Sequence, residues 1–191
     1  MLKITERDEN IIKFLKDFKV ADTNTISKIF FNGKIRVTQN RLKKLKDNKF
    51  INSDKTYYSY QNIFYVKKKP SQIRHSLLLS QFIGELYAQN LDIEKYKVSL
   101  KICDIIVDCF IVIKVDDYYK MFFIEVENTK NFDLEKYLRL KEQGEFKSKF
   151  PVMPVIVVIT DKKIKVDDSL NIIKIKIDFS DINKLIETLK E

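Results

Sequence analysis

The chain has 191 residues, 45% of them hydrophobic, and a formal net charge of +9. This length suits one large domain or two small ones. No apolar run approaches the roughly 20 residues of a membrane span, and no basic-then-apolar leader is visible. Membrane insertion and secretion are therefore not expected, and we predict a cytoplasmic protein. A single histidine argues against zinc sites, His-based nucleophilic triads and nicking enzymes that depend on a histidine cluster.

The positive charge is concentrated in the first third of the chain. Residues 1–70 hold 17 Lys and Arg against 7 Asp and Glu, a net +10, whereas residues 71–191 hold 19 against 20, a net −1. Such asymmetry indicates a basic domain that meets a polyanion, followed by a neutral domain. The predicted boundary is the charge run "KKKPSQ" at 67–72, so that the domains are 1–70 and 71–191.

The first segment predicts three helices and a hairpin. Thr5 is the expected N-cap of the first helix, and Asp22 or Thr23 caps a short second one. The turn "NGK" at 32–34 leads into a third helix, "RVTQNRLKKLKDNKFI" at 36–51. Two strand-like runs follow, "KTYYSY" and "NIFYVKK", with a predicted turn at Gln61-Asn62. A basic hairpin after a helix-turn-helix unit is the plan of a winged helix.

The third helix has one apolar and one basic side. At 100° per residue, Ile35, Thr38, Leu42 and Leu45 share the inner stripe. Arg, Asn and Gln side chains can match base edges, while Lys mainly contacts phosphates. The predicted contacts to double-stranded DNA are Lys34, Arg36, Thr38, Gln39, Asn40, Arg41, Lys43, Lys44, Lys55, Tyr57, Lys67 and Lys68. The alternative is an ordinary solvated helix with a structural hairpin.

The second segment predicts an α+β domain. A long helix at 71–90 precedes strands at about 96–102, 104–114 and 119–127. A helix at 131–150, a fully buried strand at 154–160, a strand at 171–178 and a closing helix complete it. The near-continuous apolar character of 154–160 is typical of a central strand.

Acidic residues interrupt the apolar strands. Strand alternation places Asp104 and Asp108 on one face, and Glu125 and Glu127 on one face of the next strand. Carboxylates in such strands are costly unless paired or bound to a cation, and Asp108 with Glu125 could hold Mg²⁺. Alternatively the face is open to solvent, or the acids pair with one of three basic residues of the following segment. Those residues are Lys130, Lys136 and Arg139.

This order of elements resembles the core of the restriction-endonuclease-like (PD-(D/E)xK) superfamily. That resemblance makes Asp108, Glu125, Glu127 and Lys136 the candidate catalytic residues, with Asp108 and Glu125 as the candidate metal ligands. In the superfamily pattern, a Lys follows the Glu by two residues, but here Glu127 occupies that position. A lysine from the next helix, such as Lys136, can substitute for it in such folds.

Over roughly residues 4–160 the chain also resembles the replication-relaxation family of plasmids and conjugative elements. That family is thought to combine an N-terminal winged helix with a nuclease-like domain, and to act in plasmid replication or DNA transfer. The individual motifs are degenerate, and their order is the stronger signal. The matching stretches are "ITERDENIIKFL", "TQNRLKKLKDNKFI", "RHSLLLSQF", the strand of Asp104 and Asp108, "FFIEVENTK" and "LEKY".

Two functions follow as hypotheses. The first is a non-catalytic, sequence-specific DNA-binding protein of a plasmid or other mobile element, whose nuclease-like domain serves assembly or partner binding and needs no cofactor. The second is a Mg²⁺-dependent endonuclease delivered by its winged helix. The broken motif at Glu127 favours the first. Besides DNA, the candidate partners are a second copy of the chain and plasmid replication or transfer proteins; no membrane partner is expected.

Overall fold

Two β-sheets, each with its own helices, organise the part of the chain that the computed structural model describes, residues 2–190. The chain divides into two compact units between Asn90 and Leu91. Both units mix helices and strands, as the sequence predicts for an α+β protein. Among the described residues, no helix has the length and apolarity needed to cross a bilayer.

The first unit contains four helices and a small sheet within its described residues. Its elements are α1 (Glu6–Phe18), β1 (Ala21–Asp22), α2 (Thr23–Phe30), α3 (Ile35–Asp47), β2 (Asn52–Thr56), β3 (Ser59–Tyr65) and α4 (Ile73–Ala88). The strands are antiparallel and lie in the order β1-β3-β2.

Side-chain caps start the first two helices where the sequence predicts them. Thr5 and Asp8 form a reciprocal capping box at the start of α1, which satisfies backbone donors that a helix N-terminus otherwise leaves unpaired. Asp22 accepts the Thr25 N–H at 2.8 Å at the start of α2. Gly33, with φ of +76°, forms the turn into α3, a conformation that glycine adopts without strain.

The hairpin of β2 and β3 turns earlier than predicted. Thr56 pairs with Ser59, so the turn is Tyr57-Tyr58, and the predicted turn at 61–62 lies inside β3. The cause is tertiary: Tyr58 packs against the buried cluster of Val20, Ile63 and Leu77. This packing fixes the register in spite of the weak turn propensity of tyrosine.

Helix α4 belongs to the first unit, which moves the division of the chain from the predicted residue 70 to residue 90. A Cβ on Gly84 of α4 would lie 3.3 Å from the Thr25 Cα of α2, so these two helices approach closely there. Lys28 of α2 also forms an ion pair with Glu85 of α4 at 2.5 Å. The sequence shows α4 as a helix but not the surface on which it packs.

The second unit is built on one mixed sheet of order β4-β5-β6-β7-β8. Strands β4 to β6 are antiparallel, and β6-β7 and β7-β8 are parallel. The predicted central strand is confirmed, since β7 lies between β6 and β8 and residues 156–159 are fully buried. The elements are β4 (Asp92–Ile102), β5 (Ile105–Val115), β6 (Tyr118–Val126), α5 (Leu134–Gln143), a 3-10 helix (Glu145–Ser148), β7 (Val155–Ile159), β8 (Ile172–Ile175) and α6 (Asn183–Thr188).

Two predicted boundaries in this unit were wrong. Asp104 lies in the turn before β5 rather than on the strand, so it does not share the strand face of Asp108. The predicted helix 131–150 is shorter: Asp133 caps α5, and Gly144 ends it in the left-handed conformation with φ of +64°. Glycine is the usual residue at that position of a helix end.

Candidate functional site

Helix α3 presents a continuous polar and basic surface to solvent. Its inner stripe is largely as predicted, because Leu42 and Leu45 are fully buried and Ile35 is half-buried. Six of the predicted DNA contacts are exposed along or just before this helix. They are Lys34, Arg36, Gln39, Asn40, Lys43 and Lys44. Between Ile35 and Lys46 the helix carries no acidic residue. Its last residue, Asp47, is exposed, so the negative charge on this helix is confined to its C-terminal end.

The structure places two predicted contacts elsewhere. Thr38 is fully buried, and its hydroxyl donates a hydrogen bond to the Lys34 carbonyl at 3.0 Å. Arg41 is directed toward α1, where its Nε donates to Asp8 Oδ1 at 2.7 Å and its Nη2 to the Lys3 carbonyl at 3.0 Å. Neither side chain is therefore part of the exposed surface of α3.

The Asp8–Arg41 pair fixes α3 against the start of α1. Asp8 is fully buried, and its Oδ2 accepts hydrogen bonds from the Thr5 backbone at 2.8 Å and hydroxyl at 2.7 Å. Burial alone would raise the pKa of Asp8, but the hydrogen bonds from Arg41 and Thr5, together with the Arg41 charge, lower it to about 2. A carboxylate held ionised in this way makes the orientation of α3 depend on one salt bridge.

The hairpin carries the remaining predicted contacts at its two ends. Lys55 and Tyr57 are exposed at the turn, with the Tyr57 side chain 88% exposed. Lys67 and Lys68 are exposed just after β3. Since each strand residue advances the chain by about 3.3 Å, the lysine run is separated from the turn by roughly the length of β3.

The sheet of the second unit contains a buried acidic cluster beside α5. Glu125 on β6 is only 3% exposed, and its Oε1 accepts hydrogen bonds from Lys136 Nζ at 2.5 Å and from the Tyr137 hydroxyl. Asp108 on the neighbouring strand accepts the Val126 N–H at 2.8 Å. Of the three basic residues considered from the sequence, Lys136 is thus the one that pairs with Glu125.

Burial dominates the electrostatics of this cluster. Burial raises the pKa of Glu125 to about 7, and the nearby Asp108 charge adds to the shift, whereas Lys136 and the Tyr137 hydroxyl act in the opposite direction. Burial also raises the pKa of Tyr137 well above its usual value, with a further contribution from Glu125. Glu125 therefore accepts a proton near neutral pH, and Lys136 is the group that favours its charged form.

These residues do not form a ready cation site. Among the side chains that the structure describes, no group of three from His, Cys, Asp or Glu is placed to hold a metal ion. Glu127, the third acid of the predicted set, is half-buried beyond the end of β6, and its carbonyl accepts the Thr160 hydroxyl at 2.7 Å. Because Lys136 and Tyr137 both donate to Glu125 Oε1, the donor set fits a lysine-neutralised cluster better than a bound Mg²⁺.

Three residues of these two regions are not among those predicted from the sequence. Tyr137 follows Lys136 directly, and the helical period of α5 could have indicated that it faces the sheet. Tyr60 and Lys46 border the exposed surface of α3. The helical period could have placed Lys46 beside Gln39 and Lys43, whereas the position of Tyr60 follows from the hairpin register, which no local signal gives.

Comparison with models of known families finds no match to this chain, and neither does comparison with characterised proteins. Among solved structures, the chain is similar to the crystal structure of protein VC1899 from Vibrio cholerae, with a TM-score of 0.42 and 11% sequence identity. That similarity covers 100% of this chain and 58% of the other. The chain thus spans little more than half of that protein's length.

Proposed function

We propose that the protein binds double-stranded DNA in a sequence-specific manner through a winged helix-turn-helix formed by its first unit. The order α1-β1-α2-α3-β2-β3 and the sheet order β1-β3-β2 support this assignment, because a winged helix combines these elements in this way. In this proposal α3 lies in the major groove and the hairpin is the wing.

The observation that carries the proposal is the exposed surface of α3, which is polar and basic from Arg36 to Lys46 and carries one acidic residue, Asp47, at its end. Arg36, Gln39 and Asn40 offer the paired donors and acceptors that read base edges. The neighbouring Lys43 and Lys44 supply charge for phosphates. Acidic partners three or four residues away usually offset the basic residues of a solvated helix; here only Asp47 is in that position, so most of the positive charge is left to meet a polyanion.

In this proposal the second unit is a nuclease-like domain that serves assembly or binds a partner protein. The Glu125–Lys136 pair supports a non-catalytic role, since the lysine neutralises the acid that would otherwise attract a cation. The resemblance to the replication-relaxation family suggests the process, which is replication, mobilisation or control of a plasmid or another mobile element.

A second candidate is a Mg²⁺-dependent endonuclease guided by the same winged helix. The observation that favours it is the meeting of Asp108, Glu125 and Lys136 in one cluster, since two carboxylates and a lysine are the residue types that the superfamily uses. Asp108 and Glu125 would hold the ion, which would polarise the scissile phosphate. The ion pair at Glu125 is the reason we rank this candidate second.

Binding to a site selected from a random duplex library tests the first proposal. Arg36→Ala should weaken the selected site by about 1–3 kcal/mol and leave random duplex much less affected. Alanine at Lys67 and Lys68 together should weaken both duplexes alike, because these exposed lysines at the far end of the hairpin would contact only phosphates. If Arg36→Ala leaves the ratio of the two affinities unchanged, α3 is not the reading helix.

Incubation of supercoiled plasmid with the protein and Mg²⁺ or Mn²⁺ separates the two candidates. The first predicts no nicking and little change of melting temperature at millimolar Mg²⁺. Cleavage that disappears in Glu125→Gln, together with a metal-dependent rise of melting temperature lost in the same variant, would establish the endonuclease instead.

A further inference from the structure

Tyr60, on the second strand of the hairpin, is a large side chain that packs against nothing in the fold. Tyr57 lies on Tyr58, with ring centroids 4.0 Å apart, and Tyr58 in turn packs on the core. Tyr60, by contrast, has an exposed fraction of 111%, so its ring is in solvent over its whole surface. Aromatic rings contribute to folding chiefly through burial, which means that folding does not account for this one.

Tyr60 stands at the rim of a groove between α3 and the hairpin. The groove has a volume of about 510 Å³, within the range of roughly 300–1,000 Å³ that small ligands occupy in proteins. Helix α3 and the strands contribute amides, hydroxyls, two ammonium groups and one carboxylate, that of Asp47, to its walls. These include Gln39, Lys43 and Lys46 from α3 and Ser53, Tyr60 and Asn62 from the strands.

We propose that this groove takes an unpaired base of the bound DNA, with Tyr60 as the stacking surface. The inference rests on the DNA-binding function proposed above and specifies its substrate: duplex DNA that carries an extrahelical nucleotide or ends in a single strand. A ring can stack only on a base whose face is free, and the base faces inside an intact duplex are not.

The groove has the further groups that such a nucleotide needs. Lys43 and Lys46 line the groove on the α3 side; they outnumber Asp47 there and would supply the positive charge that the phosphates flanking an extruded base require. Gln39 and Asn62 carry amides that can donate to and accept from its Watson–Crick edge. The helix then holds the paired part of the DNA while the groove holds the unpaired base.

The test compares three probes with the full chain: a plain duplex, the same duplex with one bulged nucleotide, and the single strand. Affinity for the bulged duplex should exceed that for the plain duplex about tenfold, which is the usual scale of one base–aromatic stack. With 2-aminopurine as the bulged base, binding should quench its fluorescence. Tyr60→Phe should keep the preference and the quenching, and Tyr60→Ala should lose both.

Tyr119→Ala is the matched control, because Tyr119 is an exposed tyrosine, 55% accessible, on a hairpin of the second unit. It should leave the preference for the bulged duplex unchanged. Equal affinity of the wild type for plain and bulged duplex would overturn the stacking inference while leaving the proposed function intact. So would a preference that persists in Tyr60→Ala. Absence of binding to all three probes would overturn both.

Discussion

The salt bridge between Asp8 and Arg41 shows how one residue can resemble a DNA contact in sequence and have a structural role in the fold. Arg41 lies on α3 among basic residues, and only the fold reveals that its guanidinium is directed to a buried carboxylate 33 positions earlier. Arg36 on the same helix remains exposed. The two arginines should therefore have separable effects on stability and on DNA recognition.

Arg41→Ala should destabilise the first unit by about 2–4 kcal/mol, because it leaves the Asp8 charge buried without its partner. Arg36→Ala should change the free energy of unfolding by less than about 0.5 kcal/mol, as is usual for exposed positions. Denaturant unfolding of both variants measures this. An Arg41→Ala protein as stable as Arg36→Ala would show that the salt bridge does not hold α3 in place.

Glu125 should make the stability of the second unit depend on pH. Its pKa rises from 4.5 to about 7 on folding, so between these values the folded chain holds a proton that the unfolded chain has lost. The resulting stabilisation is complete below about pH 4.5 and is lost as the pH rises through about 7.

Across this window the free energy of unfolding of the wild type should fall, relative to Glu125→Gln, by roughly 3 kcal/mol. Denaturant titrations at several pH values from 4.5 to 8 measure the difference. Glu135→Gln, the same change at an exposed position on α5, should give a curve parallel to the wild type. Parallel curves for Glu125→Gln would mean that Lys136 keeps Glu125 ionised throughout.

Among the elements, long and strongly patterned segments were predictable, and their ends and partners were not. Helices α1 and α3 and the central strand β7 follow directly from apolar spacing and caps. The hairpin turn was misplaced because Gln61-Asn62 has better turn chemistry than Tyr57-Tyr58. Its true position depends on core packing of Tyr58, which is a tertiary effect.

The residues of the acidic cluster could be predicted from the sequence, but the ion pair that neutralises Glu125 could not. Strand alternation brings Asp108 and Glu125 to neighbouring strands, and Lys136 was among the candidates to meet them. That Lys136 pairs with Glu125 depends on how α5 lies on the sheet, since its first turn must approach the middle of the cluster. No local pattern specifies that geometry.

Helix α4 gives a prediction at the scale of an element. Because Leu77 completes the cluster with Val20 and Ile63, a fragment of residues 1–90 should fold, whereas residues 1–70 should not. Thermal melts followed by circular dichroism should show a cooperative transition only for the longer fragment. In the full chain, Gly84→Leu should also destabilise the first unit, because α2 and α4 approach so closely at Thr25 that a leucine side chain has no room there. A cooperative melt of residues 1–70 would contradict this role of α4.

At the scale of the whole molecule, the charge asymmetry does not depend on where the chain is divided. Residues 71–90 add one Arg and one Glu, so the first unit keeps a net charge of +10 up to residue 90. The remaining residues carry a net −1. The net positive charge that would attract a polyanion therefore lies in the first unit.

The salt dependence of DNA binding should accordingly arise in the first unit. Each phosphate contact releases counterions and adds about 0.9 to the slope of log affinity against log salt. Lys43→Ala should reduce that slope by about 1, because Lys43 is exposed beside the groove of α3. Lys165→Ala, at an exposed position of the second unit, should leave it unchanged. Fluorescence anisotropy at salt concentrations between about 50 and 200 mM measures the slopes, and equal reductions by the two variants would place phosphate contacts in both units and refute this division of roles.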